Sequence, residues 1–424
     1  MSYSMIPPPT ISSGHSSSTI KALRNGDRSA ILQLFNEVLP NWQSIDGSQL
    51  LVEPLTGGYS GAEIFKVSQR DSDESPLVMR VPGNKSLDTD TQIFFKTSDP
   101  GISAAAQRAW SSSRRHATLI FQDNEQSPNV CITEYIKGQV GDAGLMNGEG
   151  AISYAYALGQ AVGELHSWDN TWFEDCPGLD EAEIAVRTIG DEELRNHILE
   201  LGSYSSFGKC FLDILVTESL TEGKVKEVEE IGSALFALLE QGSLMARLVI
   251  GHGDLKYDNT IIRSSSDDER PELVLIDYDR VMQLPAAADL GCYLHDSEPR
   301  SNKYPTLSNR RALAEGYLGG CSESGFDVTQ FSHHELDDVV LAMEVGLLLR
   351  SLWLSTIMST VFPSYRWVVP ILRSGIGRAA KLIAKAKYDD SLREQLLKRG
   401  SSQMIGKSFV IPLLFKRMLK SFAR

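Results

Sequence analysis

The sequence predicts an α+β chain of two lobes, a small antiparallel-sheet lobe followed by a larger, mainly helical one. Three observations carry this expectation. Before Gly138, short runs rich in β-branched and aromatic residues, "LLVEPLTGGYSGAEIFKVSQ" and "SPLVMRVPG", read as paired strands around a glycine-rich turn. After Gly138 the apolar residues recur at i, i+3 and i+4, beginning with "AISYAYALGQAVGELHSWDN". A chain of 424 residues, 42% hydrophobic and 23% charged, is long enough for two packed cores.

Taken in order, residues 1–25 open "MSYSMIPPPTISSGHSSSTI", without the basic and apolar segments of a secretory signal, and their Ser and Pro content predicts a disordered tail. The first lobe is expected over 26–136. It starts with "RSAILQLFNEVLP", helical in spacing and stopped by Pro40. The hairpin runs follow, then "ISAAAQRAWSSSRR" as a helix and "NVCITEYIKG" as a strand ending near Gly138. The second lobe is expected over 137–424, with the hinge near residues 134–141. Long helices fill it, interrupted around 250–280 by two short strands.

Composition narrows the partners. Against 55 Asp and Glu stand 41 Lys and Arg, a net charge of −14, which excludes a general binder of nucleic acid or of anionic membrane. Cys131, Cys176, Cys210, Cys292 and Cys321 are scattered and lack C-x-x-C spacing, which predicts reduced thiols and a cytoplasmic location. The longest apolar stretch, "SLWLSTIMSTVFPSY", is too short and too interrupted by proline to span a bilayer. From Gln395 onward there is no acid, and "IPLLFKRMLKSFAR" separates a basic stripe from an apolar one. A helix packed on the large lobe is the expected reading, ahead of a membrane-surface anchor.

The chemistry concentrates in "IGHGDLKYDN" (250–259) and "ELVLIDYDR" (272–280). Together they read as a loop and strand that present Asp254, Asn259, Asp277 and Asp279 side by side. Such oxygen donors suit Mg²⁺ bound with phosphates, and Asp254 is then left to accept a proton from a hydroxyl. Asp254 and Asn259 also have the D-x-x-x-x-N spacing of a kinase catalytic loop.

With "LTGGYSGAEIFKV", "LVMRVPG", "CITEYIKG", "LGQAVGELHSW", "GHGDLKYDN", "LVLIDYDR" and "AADLGCYL" in this order, the chain resembles the aminoglycoside phosphotransferase and choline/ethanolamine kinase superfamily. The resemblance implies a two-lobed protein-kinase-like fold and ATP-dependent phosphorylation of a small-molecule hydroxyl, with Mg²⁺ as cofactor. It implies Asp254 as general base, Asn259 and Asp277 as Mg²⁺ ligands, and Asp279 as a ligand of a second metal or its water. Gly57, Gly58, Ser60 and Gly61 would make the turn that brings backbone N–H groups to phosphate. Alone, "GGYSG" would read as an ordinary hairpin turn. Glu134 and Ile136 would contact the nucleotide at the hinge, and Arg80 stands where kinases carry the strand lysine. His252 would buttress the loop, and Asp289 would brace it. Lys256 either touches the γ-phosphate or is solvated. His166 reads as a packed helix-end residue, His116 and His295 as surface or core.

Two departures from the family pattern matter. Between Thr91 and Gln122 the sole acid is Asp99, so no helix glutamate awaits Arg80, which leaves Asp88, Asp90, Asp99 or phosphate as its partner. In "LLLRSLWLSTIMS" Trp353 fits the second aromatic of the choline kinase W-x-L-W helix, but Arg350 stands at the first. Asp296 and Glu298 would favour an amine-bearing alcohol near the cleft, whereas Arg350 would favour an anionic one. The resulting order is amino alcohols first, then aminoglycoside, sugar-like or anionic alcohols. A nucleotide-binding module without transfer activity is the rival reading.

Overall fold

The computed structural model describes residues 17–55 except 44, 62–81 except 73, 115–122, 130–141, 150–167, most of 230–239, 243–263, 272–277, 282–296, 304–331, 335–361 and 369–405. Helices α1 (Ser17–Arg24) and α2 (Arg28–Val38) come first, and Asp27 caps α2 by accepting from the Ala30 N–H at 3.0 Å. The expected tail therefore ends earlier: of residues 1–25, those from Ser17 to Arg24 are helical, and 1–16 lie outside the described residues. Ile20 and Leu23, three apart, bury one face of α1, a pattern too short to stand out beside Ser17, Ser18 and Thr19.

Strands β1 (Leu50–Leu55), β2 (Glu63–Gln69), β3 (Leu77–Val81), β4 (Leu119–Gln122) and β5 (Cys131–Glu134) form one antiparallel sheet in the order β1-β2-β3-β5-β4. Alternation sorts its faces. Leu77, Met79 and Val81 of β3 are buried against Ile31, Leu34 and Phe35 of α2, which leaves Arg80 on the opposite face. The helix expected over 102–115 falls almost entirely outside the described residues.

A second core gathers α3 (Ala151–Leu165), α4 (Ala286–Asp296), α5 (Leu307–Glu323), α6 (Leu336–Val361), α7 (Val369–Ala386) and α8 (Asp390–Ile405). Four short strands, not two, interrupt these helices: β7 (Leu248–Gly251), β8 (Thr260–Arg263), β9 (Leu273–Leu275) and β10 (Met282–Pro285). β8 and β9 form the expected hairpin and take β6 (Gly138–Val140) on β8, while β7 pairs with β10 across the whole intervening segment. A strand of four residues whose partner lies thirty residues away leaves little local signal. Between the two cores, Ala117, Ile136 and Val274 form a small apolar contact beneath the hinge.

Two features fix the helices. At the α4–α6 crossing, a Cβ on Gly346 would lie 1.7 Å from the Ala287 carbonyl oxygen, so the two backbones meet at a distance that only glycine permits. Fully buried Arg310 donates to Glu344 at 3.0 Å, and Glu344 in turn accepts from Tyr304, the Ser401 N–H and the Ser401 hydroxyl. That network staples α8 to α5 and α6, with the remaining carboxylate lone pairs satisfied as burial requires.

Candidate active site

β7 delivers the chain into His252-Gly253-Asp254. Gly253 has φ +73, a left-handed conformation in which glycine is at no disadvantage, and this turn aims Asp254 away from the core. Asp289, fully buried on α4, holds the loop from below, accepting the His252 N–H at 2.8 Å and the Gly253 N–H at 3.0 Å. His166 Nε2 lies 3.0 Å from the same carboxylate, and its Nδ1 lies 3.2 Å from the Tyr317 hydroxyl.

Burial decides the protonation of this chain of groups. It pushes the His166 pKa down despite the Asp289 carboxylate, and it keeps the Tyr317 hydroxyl well above its usual value. Burial alone would raise Asp289, but the bond from His166 and the loop amides outweigh it and hold the carboxyl below its usual range. The consistent assignment is a neutral His166 that donates through Nε2 to anionic Asp289 and accepts the Tyr317 proton at Nδ1. His252 is likewise held neutral by burial, its Nε2 at 3.0 Å from the Ile276 carbonyl, and His116 is lowered to about 3 chiefly by burial. All three are packed residues, as expected for His166, His252 and His116.

Beyond Asp254 a single 3₁₀ turn, Tyr257–Asn259, folds the loop back, so the Asn259 amide donates to the Asp254 carbonyl at 2.9 Å. The Asn259 carbonyl accepts from the Ile276 N–H at 3.0 Å, which sets Asn259 beside Asp277 at the end of the β8–β9 hairpin. Asp277 has φ +65, uncommon for a residue with a Cβ and the kind of backbone outlier that clusters at functional sites. One carboxylate and one carboxamide oxygen are hard donors that fit Mg²⁺, which needs only one or two carboxylates when phosphates supply the rest. Among the described residues no group of three or more His, Cys, Asp or Glu could hold a metal unaided.

Three cations converge here. Arg80, from the sheet lobe, stands 4.0 Å from Asp277 Oδ1. None of the partners expected for Arg80 was Asp277; Asp88, Asp90 and Asp99 lie outside the described residues. Lys256 Nζ lies 3.1 Å from Asp254 Oδ2 and 3.9 Å from Asp258, so it is paired with the loop's own carboxylates. Arg350, on α6, donates through Nη1 to the Gly253 carbonyl at 2.7 Å and through Nη2 to Asp254 Oδ1 at 3.1 Å. The sequence showed that Arg350 and Trp353 share a helix face but not that this face meets the loop.

Of the remaining expected residues, Glu134 ends β5 with its side chain 3.3 Å from Arg263, and Ile136 is buried beneath the hinge. Trp353 and Asp296 lie on α6 and α4, with their side chains outside the described residues, as are Gly57, Gly58, Ser60, Gly61, Asp279 and Glu298 altogether. The C-terminal basic segment, 407–424, is outside them too. Among the described residues no helix is long and apolar enough to cross a membrane.

Comparison with known proteins agrees with this architecture. A choline kinase from Cryptosporidium parvum Iowa II superposes with a TM-score of 0.52 over 86% of this chain and 98% of its own, at 15% identity. An ethanolamine kinase from Plasmodium vivax superposes with a TM-score of 0.54 over 85% of this chain and 90% of its own, at 14% identity. At such identities the likeness establishes the kinase-like fold alone. No curated protein matches the sequence. Residues 114–320, which hold the braced loop and the β8–β9 hairpin, match the model of the phosphotransferase enzyme family.

Proposed function

We propose that this chain transfers the γ-phosphoryl group of ATP to a hydroxyl of a small molecule. The observation that carries the reading is the triad of Asp254, Asn259 and Asp277: Asn259 is bonded to the Asp254 carbonyl on one side and to the strand leading into Asp277 on the other. Asp254 takes the acceptor's proton as the new P–O bond forms in line with the breaking bond between the γ-phosphorus and the β–γ bridging oxygen, and ADP leaves. Mg²⁺, when bound with the nucleotide by Asn259 and Asp277, supplies charge neutralisation on the transferring phosphates.

The chain's own groups do the rest. Arg80, across the cleft from Asp277, is positioned to add positive charge on the phosphate side, the place filled in kinases by a strand lysine. Asp289 and His166 hold the loop so that little reorganisation is needed at the moment of transfer. The nucleotide would lie between a lobe of 26–136 and one of 137–424, with its base at Glu134–Ile136 and its phosphates at the turn of Gly57, Gly58, Ser60 and Gly61.

Amino alcohols stand first among acceptors on resemblance. The geometry supports a second reading, an anionic or sugar-like alcohol, because both oxygens of Asp254 already face cations. ADP release from Mg·ATP, with and without each class of acceptor, tests the transferase reading. Mg·ATP binding without acceptor-dependent ADP release would leave only a nucleotide-binding module.

A further inference from the structure

Resting on that transferase reading, we propose that Arg350 reads the acceptor's charge, and that the acceptor is an alcohol bearing an anionic oxygen group, a carboxylate or a phosphate. The base is already bracketed: Arg350 Nη2 is 3.1 Å from Asp254 Oδ1, and Lys256 Nζ is 3.1 Å from Asp254 Oδ2. Asp258 reaches this cluster from the far side of Lys256, at 3.9 Å. An acceptor hydroxyl within hydrogen-bond reach of Asp254 therefore carries its next substituents into the field of two cations. An ammonium two carbons from that hydroxyl would add a third cation beside Arg350 and Lys256. An anionic group instead pairs with the Arg350 fork, which sits on the opposite Asp254 oxygen from Lys256 and that lysine's second partner, Asp258.

Arg350 is suited to this reading role. Its guanidinium is a planar fork that pairs with carboxylate and phosphate oxygens, always charged and weakly hydrated. Its side chain retains 13% exposure while it holds the loop. Its helix is anchored one turn earlier by Gly346 against α4, the helix that carries Asp289. The cation is thus held in register with the base it flanks.

The test uses one carbon scaffold in three charge states, D-glycerate, glycerol 3-phosphate and glycerol, together with choline and ethanolamine, each with Mg·ATP and full-length protein. The expected result is a kcat/KM for glycerate or glycerol 3-phosphate at least tenfold above glycerol and both amines. Arg350→Gln should then raise the KM for the anionic acceptor roughly tenfold or more, leave the KM for ATP unchanged, and be partly rescued in Arg350→Lys. The glycerate and glycerol 3-phosphate arms separate carboxylate from phosphate recognition. Preferred turnover of choline or ethanolamine by the wild type refutes the proposal while the transferase reading stands. An equal fall in kcat on every acceptor in Arg350→Gln also refutes it, since that is the signature of a brace alone. Calorimetric binding of the same anions, lost in Arg350→Gln without ADP release from the wild type, supports the Arg350 site and removes the transferase reading instead.

Discussion

Replacing Asp289 by asparagine removes one charge and one acceptor atom from beneath the Asp254 loop. The carboxylate is fully buried and accepts from His252 N–H at 2.8 Å, Gly253 N–H at 3.0 Å and His166 Nε2 at 3.0 Å. His252 and His166 share Oδ2, so the asparagine oxygen should stay there and its NH₂ should face the Gly253 N–H. That leaves a buried donor without an acceptor, a cost of about 1–3 kcal/mol. The two surviving bonds fall from charged to neutral, roughly 1 kcal/mol each. Relief of the burial cost of the carboxylate offsets part of this, for a net loss of about 2–4 kcal/mol. Equilibrium urea denaturation followed by tryptophan fluorescence measures it. Release of the Gly253 peptide also lets Asp254 drift, and a displacement of about 1 Å can cost roughly 10²-fold in kcat. A variant within ~0.5 kcal/mol of wild type with undiminished turnover would refute the bracing argument.

Asp254→Asn should lower turnover by roughly 10²–10⁴ with Mg·ATP binding retained, whereas Asp277→Asn should weaken Mg²⁺-dependent nucleotide binding; parallel loss of nucleotide affinity in both would abolish the division of roles. His116, lowered to about 3 in the folded state, contributes stability that is complete above its unfolded pKa and lost as pH falls toward the folded one. At one pH unit below the unfolded value the loss from this residue is about 1.4 kcal/mol. His166 and His252 shift in the same direction, so denaturation midpoints measured from pH 7.5 down to 5 should fall steeply, and a flat profile over that range would contradict neutral burial. Gly346→Ala should destabilise by about 1–3 kcal/mol or more, because the new methyl meets the Ala287 backbone and not a yielding side chain; an unchanged thermal midpoint would show that α4 and α6 can part.

The parts of the fold that were legible in the sequence are those whose signal is local. Alternation in "LVMRV" sorts Met79 to the core and Arg80 to the cleft, and the ten residues 250–259 announce the loop by composition alone. What was not legible depends on partners far along the chain. Arg350 meets Asp254 across 96 residues, and helical spacing gives a face without saying what the face touches. The Arg80–Asp277 approach joins the two lobes, so no window on either strand contains it. β7 and β10 were missed for the same reason, and α1 because two buried side chains are too few to reveal a helix.

The glycine crossing of α4 and α6 makes those two helices a fixed gauge across the Asp254 loop. Asp289 grips the loop's amides from one helix and Arg350 grips its carbonyl and carboxylate from the other, and neither grip can be adjusted without the other. A change of side chain at position 350 therefore gives up the bond to the Gly253 carbonyl and the bond to the Asp254 carboxylate together, with Asp289 left as the loop's remaining hold.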